Sequence, residues 1–147
     1  MSTGVSEQAV PLGDPIQHAK RSKEHWATAD AVAVQVNGPL GLAWVAAVQY
    51  YAALHVAYSI LKYRQPDREV ATRGDAAHFL RRDFPLGKSN YLFMLANIAN
   101  QVHYDAAYVM TTEGSEAAAK AAREFLSYFS AYCPREGAGP YKSKGKK

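Results

Sequence analysis

An all-α fold is predicted for this 147-residue chain, and two observations predict it. Apolar residues recur at steps of three and four in every long segment, with no strand-period stretch between them. Proline, glycine and capping residues cut the pattern into helix-sized pieces. Four long helices and one short one follow, at about 15–36, 40–63, 73–83, 89–112 and 115–132. Short connections make consecutive helices antiparallel neighbours, so the expected architecture is an antiparallel up-and-down helical bundle.

The segment 40–63, LGLAWVAAVQYYAALHVAYSILKY, is apolar nearly all round. Such a helix is buried among other helices or in lipid. Gln49 and His55 interrupt the roughly 20 apolar residues that spanning needs, and small Ala with Tyr outnumbers Leu and Ile. The segment is therefore expected at the centre of a soluble bundle, with no membrane contact. His55, Ser59 and Lys62 share one narrow stripe of it, at i, i+4 and i+7.

The remaining elements follow in order. Residues 1–14 read as disordered. Asp14-Pro15 opens the first helix as N-cap and first helical proline, with Ala19, Ser22, Trp26, Ala29, Ala33 and Val36 as its core stripe. Asn37-Gly38-Pro39 stops it. Pro66 breaks the pattern after Tyr63. Thr72 and Asp75 form a capping arrangement for a short third helix with Ala76, Ala77, Phe79 and Leu80 inside. Ser89 is the expected N-cap of the fourth helix, whose stripe is Leu92, Leu95, Ile98, Val102, Ala106 and Val109. Gly114 stops it. The fifth carries Ala118, Ala122, Phe125, Phe129 and Tyr132 inside, and Glu116, Lys120 and Glu124 outside as ion-pair support. Pro134 ends the domain 15–133, and 134–147 reads as a disordered basic tail.

Charge is concentrated at that end. Residues 135–147 hold five basic residues and one acid, while the other 134 residues hold twelve of each sign. The body is neutral; the tail suits a solubilising end or a salt-sensitive contact to nucleic-acid phosphates. The single cysteine, Cys133, excludes an intramolecular disulfide and a multi-cysteine zinc site. His18 and His25, seven residues apart, lack a third ligand at matching spacing, so no metal is expected. No cofactor motif is present. The start has no basic region followed by an apolar run, and a cytoplasmic protein is expected.

Gln49-Tyr50-Tyr51-Ala52-Ala53-Leu54-His55-Val56-Ala57 resembles the YYAxFHAA stretch of HEPN domains (higher eukaryotes and prokaryotes nucleotide-binding). A short His78-Phe79-Leu80 helix follows in the same order. Asn100-Gln101-Val102-His103-Tyr104-Asp105 looks like the RQxxDYD or RNxxxHxY region of the family's penultimate long helix. Ala117 to Phe129 is similar to its Ala-rich last helix. The resemblance covers about residues 15–132. It implies a HEPN-like bundle, a homodimer, RNA or a nucleotide as ligand, and in some members a nucleotidyltransferase-like protein partner in a toxin-antitoxin or defence-type system.

Active members are metal-independent ribonucleases with an Arg-x4-6-His motif. His103, with Asn100 and Tyr104, falls where that motif lies, but Ile98 stands five residues before His103 in place of the arginine. A formal Arg-x4-His match, Arg73 to His78, lies instead on the short third helix. The expected function is thus a dimeric binding module without nuclease activity. The alternative is a ribonuclease toxin using His103 or the Arg73/His78 pair.

Overall fold

The structure, a computed structural model, describes residues 8–35 and 38–136. It is an all-α bundle. In chain order the elements are β1 (Val10–Pro11), α1 (Pro15–Gln35), α2 (Gly38–Arg64), β2 (Val70–Ala71), α3 (Arg73–Asp83), α4 (Leu86–Tyr104), α5 (Thr112–Phe129) and a 3-10 turn, Ser130–Tyr132. The helices α1, α3, α4 and α5 all pack on α2, and α4 also packs on α5.

The central position of α2 follows from its side chains. Ala43, Ala46, Ala47, Ala52, Ala53 and Ala57 are buried, and a methyl side chain lets neighbouring helices approach closely. Leu54, Val56, Ile60 and Leu61 fill the spaces between them. By length and composition α2 could cross a membrane, but 67% of its most apolar window is buried inside this chain. Two hydroxyls lock α1 to α2. Ser22 donates to the carbonyl of Ala52 at 2.7 Å, and Ser59 donates to the carbonyl of Pro15 at 2.7 Å. Each satisfies a polar group that burial would otherwise make costly.

The α3 expectation holds in detail. Thr72 accepts from the Asp75 amide and Asp75 accepts from the Thr72 amide, a reciprocal capping box. Asp75 also takes Arg68 at 2.9 Å. The Thr72 backbone and hydroxyl bonds hold its carboxyl below the usual carboxylate range. Ala76, Ala77, Phe79 and Leu80 are all buried.

Several sequence expectations are corrected. Residues 8–14 are ordered: Val10 and Pro11 pair antiparallel with Ala71 and Val70, and Leu12 is fully buried. A two-residue ladder is too short to leave a strand-period signal. The fourth helix starts at Leu86 behind Pro85 rather than behind Ser89, which lies inside its first turns and is buried. It also ends at Tyr104, not at 112. Asp105 explains the stop, because its carboxylate accepts from the Ala107 amide and its carbonyl accepts from the Tyr108 amide. This local turn competes with helix continuation.

Ala106 and Val109 are consequently exposed rather than in a core stripe. Thr111 caps α5, so Gly114 sits in its first turn and does not act as a stop. A β-carbon there would lie 3.1 Å from the Thr111 hydroxyl and 3.2 Å from the Met110 sulfur. Ala33 is exposed, and Val36 lies outside the described residues. Tyr132 is exposed, and Glu116, Lys120 and Glu124 form no ion pair among the described residues. Residues 134–136 pack on the bundle, with Pro134 buried and Glu136 on Lys20 at 2.9 Å. Residues 1–7 and 137–147 lie outside the described residues.

Candidate functional site

Tyr50 and Tyr51 stand side by side on α2, Tyr50 buried and Tyr51 half-buried. Arg73 is the first residue of α3, and the capping box that fixes this helix end also fixes where Arg73 starts. Its guanidinium carbon lies 5.9 Å from the Tyr50 ring centre and 5.7 Å from that of Tyr51. Arg73 forms no salt bridge among the described residues. Burial pushes the Tyr50 hydroxyl up to about 12, so it stays a neutral donor. The guanidinium is held by aromatic rings and bonded to their hydroxyls, and with no carboxylate of its own its remaining N–H groups suit an anion.

His103 reaches the same tyrosine from the last turn of α4. Its Nε2 is 2.6 Å from the Tyr51 hydroxyl, and its ring meets Trp44 edge-on at 5.2 Å. Arg73 and His103, from different helices, therefore both engage Tyr51. Beside them a cavity of about 230 Å³ opens between α2, α3 and α4, lined by Tyr50, Arg73, Phe93, Asn97 and Asn100 among others. Asn97 and Asn100 also line an outer cavity of about 370 Å³, together with Gln101, Tyr104 and Asp105. The two amides stand between both spaces.

The sequence candidates fare unequally. Asn100, Tyr104 and His103 cluster as expected, with Tyr104 exposed and its ring tilted against His103 at 5.9 Å. Arg73 joins this group, but His78 does not. Five residues along a helix turn the two side chains apart, and His78 is exposed with its ring against Phe93 at 5.8 Å. Among the described contacts, none brings His78 to Arg73. Tyr51 and Trp44 escape sequence reasoning. Trp44, Tyr51 and His55 lie at i, i+7 and i+11, one face of α2, and that spacing is the signal that marks them.

His55 belongs to a second cluster. Its ring stacks between His18 and His25, with centroids 5.1 Å away on each side. His18 Nε2 lies 2.6 Å from the Leu12 carbonyl, so that nitrogen donates. In a neutral His18 the Nδ1 must then accept, and the 2.9 Å contact makes His55 Nδ1 the donor. Both tautomers are fixed by one backbone carbonyl. Burial, then the neighbouring His18, His25 and Arg21, pushes His55 down to about 4. His18 and His25 are also lowered, chiefly by burial. His55 joins His18 and His25 as a third histidine from another helix, yet among the described residues no group of three or more His, Cys, Asp or Glu is placed to hold a metal ion. His25 also tilts against Tyr51 at 6.0 Å, so Tyr51 adjoins both clusters.

Arg73 and the amides of Asn97 and Asn100 line a part-apolar cavity, and the Tyr51–His103 phenol–imidazole pair stands next to Arg73. That set suits a phosphate oxyanion beside a flat ring. No family model, curated protein or solved structure matches the chain.

Proposed function

We propose that this chain is a HEPN-like dimeric binding module, without nuclease activity, that takes a phosphate-bearing ligand such as RNA or a nucleotide. The observation that carries this reading is the convergence of Arg73 and His103 on Tyr51, beside a cavity bordered by Asn97 and Asn100. Arg73 is the phosphate clamp, since arginine presents a bidentate fork to such oxygens. Asn97 and Asn100 supply neutral hydrogen bonds, and the rings of Tyr50 and Phe93 supply the flat apolar surface.

Absence of cleavage rests on the same contacts. Ile98 stands where active relatives carry an arginine about one helical turn before the histidine. The imidazole Nε2 that would move a proton is taken by the Tyr51 hydroxyl.

The dimer is supported by exposed apolar side chains next to the site. Leu40 is 69% exposed, Trp44 41% and Tyr104 64%, and the last two border His103. A second copy covering them would remove apolar area from water. The resemblance further suggests a nucleotidyltransferase-like partner of a toxin-antitoxin or defence-type system.

A metal-independent ribonuclease is the second reading, favoured by the same approach of a cation and an imidazole to one phenol. One experiment separates the two. A fluorescent single-stranded RNA oligomer is titrated in chelator, and its length is followed on a gel. Binding that weakens about tenfold in Arg73→Gln, with the oligomer intact, supports the module. Cleavage lost in His103→Ala supports the ribonuclease. Absence of binding overturns both.

A further inference from the structure

We propose that the trough between α1 and α5 is a second binding site, for an apolar carboxylic acid. The trough exists because α1 packs along α2 while α5 packs on α2 and α4, so the two flank α2 with a gap between them. The gap holds a cavity of about 530 Å³, within the range of small-molecule sites. Trp26 and Leu126 give it an apolar lining, and Ser127 and Ser130 give it hydroxyls. Lys23 stands on the α1 wall and Arg123 on the α5 wall. Neither has an ion-pair partner among the described residues. Two walls that each carry an apolar side chain and a cation are complementary to an apolar body ending in an anion.

The adjoining length of the trough is bordered by the chain's own residues 133–136, and that segment has this chemistry. A neighbouring cavity shares Ser22, Lys23 and Ser130 with the first and is bordered by residues 133–136. There the chain inserts Cys133 and the buried Pro134, and the carboxylate of Glu136 takes Lys20 at 2.9 Å. Lys20 and Lys23 are three residues apart on the same helix. That adjoining stretch thus pairs an apolar edge with a carboxylate on an α1 lysine. The stretch towards α5 offers the next lysine, plus an arginine. Residues 137–147 carry four lysines and no acid, so their charge opposes them as occupants.

Decanoate serves as the probe, with decanol as its uncharged analogue. In a Trp44→Phe background Trp26 is the sole tryptophan, and its emission reports the trough. Decanoate is expected to give a saturable change at submillimolar to millimolar concentration. Decanol is expected to bind at least about tenfold more weakly, and so is decanoate in Lys23→Gln/Arg123→Gln, because a charge-assisted contact is lost. Arg73→Gln should leave decanoate binding unchanged, which separates this site from the phosphate site. No saturable change, equal binding of decanol, or equal affinity in the double variant would overturn the proposal.

Discussion

The chain has five histidines, and two of their settings are instructive side by side. His18, His25 and His55 are stacked at the α1–α2 joint, where burial favours their neutral forms and a backbone carbonyl fixes the tautomers of His18 and His55. His103 is exposed at the end of α4, with a phenol on one nitrogen and Arg73 near the ring of that phenol. The same side chain serves packing in one place and stands at the surface in the other. What separates them is access and the presence of an unpaired cation. A histidine surrounded by others of its kind is driven to the neutral state. In the proposed reading, His103 and an arginine without a carboxylate receive an anion brought from outside.

The largest effect should come from the inner group. His55→Ala removes the donor to His18 and leaves a gap in the stack, and a loss of about 2 kcal/mol in urea unfolding is expected. His103→Ala should change stability by less than about 0.5 kcal/mol, as for surface positions generally. Equal losses would erase the distinction between the two groups.

Acid should act on the inner group as well. The folded value of His55 lies near 4, below the unfolded value near 6.5. The unfolded chain therefore binds more protons between these limits. This contribution to stability is complete above about 6.5 and is lost as pH falls towards 4. The same unfolding series in His55→Gln should show a shallower decline across that window, and an unchanged decline would assign it elsewhere.

A smaller change is expected at the support of Arg73. Thr72→Ala removes the side-chain half of the capping box and should cost about 1 kcal/mol. It should also weaken phosphate-ligand binding a few-fold, because the end of α3 that carries Arg73 frays. Unaltered binding would mean that Arg73 is held by the tyrosine rings alone.

Most of the bundle is legible in the sequence. The α2 pattern is so uniformly apolar that its central place is evident, and the Thr72–Asp75 box shows in the residue types alone. The end of α4 does not. Ala106 and Val109 continue the apolar spacing in register, and only the Asp105 turn, a local hydrogen-bond competition, ends the helix sooner. The site is half legible. His103, Asn100 and Tyr104 sit on one helix, where spacing reveals neighbours. Arg73 meets them only through the packing of α3 and α4 on α2. Its nearest histidine in sequence, His78, draws attention away because one-dimensional spacing cannot register a turn of helix. The His55 stack is hidden for the same reason: its partners lie on another helix.

The most direct measurement is an NMR titration of the imidazole signals with a single-stranded RNA oligomer at neutral pH. A phosphate site at Arg73 and His103 requires the His103 signal to shift saturably, with those of His18 and His55 unmoved, and the shift to vanish in Arg73→Gln. Shifts centred on His18 and His55, or a His103 shift that survives Arg73→Gln, would contradict it.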